Sequence, residues 1–240
     1  MSKKILIFGG TGAIGFSIAK RISQENYTPV IISRNKEELI IKSKEINCEY
    51  ETCDVLDKDQ IDQISKKHSD TVCGIAYCIG SINLKPLKIT KDDDFIESYK
   101  INTLGAINSI KSNIENLAKN NGSILLFSTI AVQQGFTNHS IVSSSKGAIE
   151  GLTLSLAAEF APKIRVNCIA PSLTDSKMSQ KMISNENIRK AIENMHPIPK
   201  IGHGEDFGDL SYFLLSQKNN WITGQIFHID GGRSTLRLKG

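Results

Sequence analysis

No stretch of this chain approaches the roughly 18 consecutive apolar residues that a membrane span requires, so no transmembrane partner is expected. Lys3 and Lys4 precede the apolar run Ile5-Leu6-Ile7-Phe8, but that run is too short for a secretory h-region and ends in glycines. The five cysteines (Cys48, Cys53, Cys73, Cys78, Cys168) contain no C-x-x-C pair and lack partnering histidines, which argues against structural zinc. Thiols lying mostly on apolar, strand-like segments fit a reducing compartment, and a cytoplasmic location is expected. The net charge of +4 is modest and the lysines are not massed into a stripe, so nucleic acid is not an expected partner. Internal repeats and low-complexity linkers are also missing.

What remains is 240 residues, 40% of them hydrophobic, a size suited to one domain spanning 1–240. Short apolar runs (Ile5–Phe8, Val30–Ile32, Tyr50–Cys53, Val72–Tyr77, Ile124–Phe127, Ile164–Ile169, Ile226–Ile229) alternate with amphipathic helical patterns. Those patterns cover Ile14–Glu25, Glu37–Ile46, Ile61–Lys67, Asn102–Lys119, Val142–Phe160 and Glu205–Leu215. Strands apolar at nearly every position, separated by helices, predict a parallel sheet covered on both faces. The expected fold is therefore α/β: a Rossmann-like, doubly wound parallel sheet of about seven strands. Asp92-Asp93-Asp94 reads as a solvated helix start, where carboxylates favour the dipole. The polar segment after Pro171, Ser172–His196, carries Met178, Met182 and Met195 and reads as a substrate lid within 172–198.

Phe8-Gly9-Gly10-Thr11-Gly12-Ala13-Ile14-Gly15 joins the first strand to the first helix. Gly9 permits a tight turn, Gly12 lets the backbone approach a ligand, and Gly15 lets helix pack on strand. The helix N-terminus then receives a pyrophosphate, with Gly10, Thr11 and Ile14 beside it. The second strand ends Ser33-Arg34-Asn35. An acidic residue there would suit a free ribose diol, whereas an arginine fork grips a 2′-phosphate, so NADP is favoured over NAD as cofactor. Asp54 and Val55 follow the third strand, where an adenine edge is expected.

Together these residues resemble the short-chain dehydrogenase/reductase family, and the resemblance covers essentially the whole chain. Gly9–Gly15 is similar to its nucleotide loop and Cys53-Asp54-Val55 to its adenine turn. Asn102-Thr103-Leu104-Gly105 resembles its N-x-x-G element. Asn167-Cys168-Ile169-Ala170-Pro171, with Thr174, resembles the segment that holds the nicotinamide, and Ile222–Gln225 with Asp230-Gly231-Gly232 matches its C-terminal signature. The resemblance implies hydride transfer between a nicotinamide cofactor and a small carbonyl or activated alkene. It also implies assembly as a homodimer or homotetramer through helices carrying Ile107, Ile110, Ile114 and Leu117, and Ile149, Leu152, Leu156 and Phe160. Those stripes suit a single buried helix face equally well.

The family's Asn-Ser-Tyr-Lys set carries over as Asn102, Thr129 (with Ser128 beside it), Val142 and Lys146. Valine has no proton to give. Two further departures are Tyr77-Cys78-Ile79-Gly80, where an asparagine-rich turn is usual, and Ser172, where glycine follows the proline. The residue seven before Lys146 shares its helix face, at the interval that separates tyrosine and lysine in the enoyl reductases of the superfamily. That residue is His139, whose imidazole suits a general acid near neutral pH, and Asn138-His139 equally suits a helix cap. Gln133, Gln134, Phe136 and His139 are expected to line the substrate site. The competing reading is an NADP-binding scaffold that has lost its chemistry.

Overall fold

The computed structural model describes residues 2–237. Its strands are β1 Lys3–Phe8, β2 Tyr27–Ser33, β3 Glu49–Thr52, β4 Val72–Tyr77, β5 Ser123–Phe127, β6 Arg165–Pro171 and β7 Ile226–Ile229. All pair in parallel, in the order β3-β2-β1-β4-β5-β6-β7, with Leu6 opposite Val30 on one side and Ile75 on the other. Each expected strand is present. The central strands are apolar throughout because both faces are covered: Ile5, Leu6, Ile7 and Phe8 have no exposed surface.

The helices are α1 Ala13–Ser23, α2 Lys36–Ile46, α3 Lys58–Lys67, α4 Asp92–Tyr99, α5 Gly105–Lys111, α6 Ile114–Lys119, α7 Ala131–Gln134, α8 Ser140–Phe160, α9 Glu186–Glu193 and α10 Glu205–Leu215. Ile18 and Ile22 of α1, Leu39 of α2 and Phe207 of α10 pack on the sheet face that carries Ile5, Ile7 and Leu125. Ile61 of α3, Ile110 of α5, Leu117 of α6 and Ile149 of α8 cover the opposite face. Asn35 caps α2 by accepting from the amides of Glu37 and Glu38, and Asp57 caps α3 in the same manner. Among the described residues no helix is long and apolar enough to cross a membrane.

One expectation changes here. The stretch Asn102–Lys119 is not one helix. A π-turn at Lys100–Leu104 leads into α5, and the chain breaks again at Ser112 and Asn113 before α6. The side chains of Asn102, Ser109, Ser112 and Asn113 all hydrogen-bond carbonyls four residues back, competing with a regular ladder. The apolar stripes on α5, α6 and α8 contribute to the core of the chain: Ile110, Leu117 and Ile149 are buried, while Ile114, Leu152, Leu156 and Phe160 are partly buried against the same core.

Tyr77, at the end of β4, is almost fully buried and donates through its hydroxyl to the Ile101 carbonyl at 2.7 Å. That bond holds the π-turn against the sheet, and a Cβ added to Gly105 would lie 2.2 Å from the same hydroxyl. Tyr77→Phe leaves a buried carbonyl without its donor and should lower stability by about 1–3 kcal/mol in urea unfolding. An unchanged midpoint would show that the bond contributes nothing to the fold.

Candidate active site

The strand order reverses between β1 and β4, and there the carboxyl ends of the strands open a crevice. Gly9, at φ +80°, turns the chain back over β1, and its amide hydrogen-bonds the Ile32 carbonyl. A Cβ on Gly15 would lie 2.4 Å from the Gly9 carbonyl oxygen, so α1 approaches β1 only because residue 15 has none. Gly12 is the N-cap residue, and no side chain caps α1, which leaves its first-turn amides directed at whatever occupies the crevice.

The crevice is a cavity of about 1060 Å³. One end is walled by Thr11, Gly12, Ile14 and Arg34, and further along come Gly80, Ser128, Thr129, His139, Val142 and Lys146. Pro171, Ser172 and Thr174 line it from the end of β6, and Met178, Met182 and Ile192 from the segment beyond. The structure thus gathers most of the sequence candidates in one place. Gly9, Gly10, Ser33, Asn35 and Asn102 do not line the cavity but stand behind it. Gly10 packs on Ile31, and the Asn35 side chain is committed to capping α2. Asp54 lies in a separate shallow depression with Asp57 and Gln60, its carboxylate accepting from the Leu56 amide, while the Val55 side chain joins the core. Gln133 and Gln134 also turn away, Gln133 towards Glu150 and Gln134 towards the carbonyls of Arg233 and Ser234. Neither lines the cavity, contrary to expectation.

Lys146 reaches from α8 to donate to the Phe127 carbonyl at 2.8 Å. A Cβ on Gly80 would lie 3.3 Å from its Nζ and 3.0 Å from Asn102 Oδ1, so bare glycine backbone separates these two groups. Asn102 is fully buried in the π-turn, accepting from the Ser81 amide and donating to the Ser98 carbonyl. It braces the wall rather than entering it. Ser128 donates to Glu150 at 2.7 Å, so its proton is committed. Thr129 Oγ1 accepts from the Ala131 amide at 3.3 Å, which leaves its own O–H as a donor. Val142 is buried in the cavity wall one helical turn before Lys146. His139 is the N-cap residue of α8; its Nδ1 faces the Thr137 carbonyl at 2.7 Å and its ring packs edge-on against Phe136. The capping reading of His139 fails in one respect, because its side chain bonds none of the α8 amides.

Three charged groups at the mouth were not foreseen. Glu38 and Lys42 of α2 line the cavity together with Arg34, and Lys177 crosses from the segment after β6 to pair with Glu38. The i, i+4 spacing of Glu38 and Lys42 was visible in the sequence; the partner from residue 177 was not.

Turn, uncapped helix and crevice at a sheet reversal define a dinucleotide-binding fold. The sequence model described as "Enoyl-(Acyl carrier protein) reductase" matches residues 10–234, and the chain belongs to the short-chain dehydrogenase/reductase family of oxidoreductases. It is 28% identical to carbonyl reductase family member 4 of Danio rerio, covering 98% of this chain and 100% of that one. It is 30% identical to the 3-oxoacyl-[acyl-carrier-protein] reductase of Mus musculus, covering 97% and 98%. Its structure is similar to that of ElxO with NADP bound, at 30% identity and a TM-score of 0.91 over 98% of this chain and 100% of ElxO.

Burial pulls the pKa of the Lys146 ammonium from its ordinary 10.5 down to about 8. Below about pH 8 the folded protein carries a desolvated charge. Between there and 10.5 it has released that proton while the unfolded chain still holds it, so this group's effect is a stability that rises with pH. Relative to Lys146→Met, the protein without added cofactor should gain on the order of 1–3 kcal/mol between pH 7.5 and 10 (roughly the span of that shift), read by urea unfolding. A difference that shrinks with pH would contradict the burial of this charge.

Proposed function

We propose that this protein is an NADP-dependent reductase acting on a carbonyl or activated alkene whose body is apolar. The observation that carries this reading is the single cavity running from the glycine turn and Arg34 to Thr129 and Lys146. The residues present fit the cofactor. Uncapped α1 amides suit a pyrophosphate, and Arg34, which lines the same end of the cavity, suits a further phosphate. Arg34 and Lys42 favour a 2′-phosphate; Glu38 opposes it, but its charge is offset by Lys177. NADP and NADPH are the molecules bound in the two ElxO structures that resemble this one.

A bound NADPH would supply the hydride. Lys146 would hold the nicotinamide ribose, and Thr129 would donate to the substrate oxygen. Ile79, Ile82, Leu173, Met178 and Met182 give the substrate end an apolar lining, with 172–198 acting as its lid. Val142 supplies no proton, and His139 is the imidazole that the cavity wall itself carries as a candidate for that role, with water as the alternative. A specific observation favours a second reading: a buried valine at that position suits an NADP-binding scaffold without turnover.

Calorimetry should give NADPH binding much tighter than NADH. Arg34→Ala should weaken NADPH by about 10–100-fold, the loss of one charge-assisted fork, while leaving NADH unchanged. Equal affinity for both cofactors would remove the assignment to NADP. NADPH consumption with ethyl benzoylformate or 9,10-phenanthrenequinone separates reductase from scaffold. Binding without consumption, together with activity appearing in Val142→Tyr, would establish the scaffold.

A further inference from the structure

Ser172 Oγ lies 2.7 Å from His196 Nε2, and His196 Nδ1 lies 2.8 Å from the Ile192 carbonyl. His196 is 3% exposed, so this arrangement is held inside the protein. A carbonyl only accepts, so Nδ1 must carry a hydrogen. Nε2 of the neutral ring then accepts from the serine hydroxyl, and in the imidazolium it donates to that oxygen. The ring nitrogens are therefore ordered by the fold: Ile192 fixes the tautomer, and Ser172 connects the imidazole to the cavity that it lines.

The position of Ser172 gives this pair its meaning. The Ser128 amide bonds the Ile169 carbonyl and the Ile130 amide bonds the Pro171 carbonyl, so Thr129 is clamped between two rungs of β6 just before Ser172. The Ser172 amide in turn bonds the Ile229 carbonyl at 3.2 Å, fixing its backbone at the end of β7. Thr129, Val142, Lys146 and Ser172 all face the same cavity. His139, by contrast, has its Nδ1 on the carbonyl of exposed Thr137 and its ring against Phe136. Among the described residues no hydroxyl bonds that ring.

We propose that Ser172 is the catalytic proton donor of this protein and that His196 is the positioning residue that recharges it. The proposal rests on the reductase reading above and names a different imidazole from the one on α8. The step balances as follows. A bound NADPH would supply hydride to the carbonyl carbon, with the C=O π pair moving to oxygen. That oxygen takes the Ser172 Oγ proton as Oγ takes the Nε2 proton of the His196 imidazolium. Solvent then reprotonates the ring, so one NADPH and one proton are consumed per alcohol formed. Valine at 142 thus leaves the cavity wall without a hydroxyl at that point, and serine at 172 supplies one elsewhere on it.

The test has two parts. In the protein without cofactor, nitrogen-15 NMR of labelled histidine across a pH series should show His196 Nδ1 protonated throughout, with Nε2 the nitrogen that gains and loses a proton and its signal displaced in Ser172→Ala. An Nε2–H tautomer overturns the proposal whatever the activity. With NADPH and ethyl benzoylformate, Ser172→Ala should lower kcat by about 10²–10³-fold, within the range for losing a positioned acid, with the KM for NADPH little changed. Ser172→Thr, which keeps a hydroxyl, should recover most of that loss. His196→Gln should lower kcat and the solvent deuterium isotope effect together, which a merely structural role would not do. Full activity in Ser172→Ala, or loss confined to His139→Ala, overturns the proposal while leaving the reductase reading intact. NADPH binding with no turnover by the parent protein overturns both.

Discussion

The closeness of α1 to the end of β1 sets the terms for everything at the top of the sheet. The contact leaves no room for a side chain at Gly15, so the helix begins directly over the turn at Gly9. Its first amides are then aimed along the crevice instead of being spent on a cap. Because the neighbouring strand on the other side is β4, the wall opposite that helix is built from Cys78 to Ser81, whose own start is tied down by the Cys78 amide on the Phe8 carbonyl. One close approach thus fixes the width of the mouth, and the reacting groups are arranged at a set distance beyond it.

A second constraint is dielectric. Lys146 carries a charge into a wall made of Ile79, Phe127 and Val142, with one carbonyl as its recorded partner. A charge so placed is responsive: any anionic or polar group entering the cavity changes its energy far more than it would at the surface. The family's tyrosine would ordinarily share that environment. With valine there, that point of the wall carries no hydroxyl, while Thr129 and Ser172 line the same cavity.

The strands were legible because a sheet covered on both faces leaves no polar alternation, so each run from Ile5–Phe8 to Ile226–Ile229 announced itself. The glycine turn and Arg34 were equally plain, since both act through short spacings. Other features depend on partners distant in sequence. The break after Asn102 comes from side chains that bond carbonyls locally, and the Ser98–Ser145 pair that supports it spans 47 positions. Gln133 and Gln134 looked like substrate contacts by proximity to His139, yet Gln134 answers to carbonyls a hundred residues away. Ser172 was noticed as a departure, but its hydrogen bond to His196 could not be read, since that histidine is brought there by the excursion between β6 and β7. The spacing seven before Lys146 pointed to His139 at the start of α8, while His196 carried no periodic signal at all.

Tyr77 and Gly105 illustrate how far one replacement reaches. The phenol occupies the space where any side chain at 105 would begin, so the two positions are sterically locked together. Taking the hydroxyl away from residue 77 relieves the closest of these contacts, yet Val55 Cγ2 still stands 3.1 Å from a new Cβ, so residue 105 is hemmed in from two strands' ends at once.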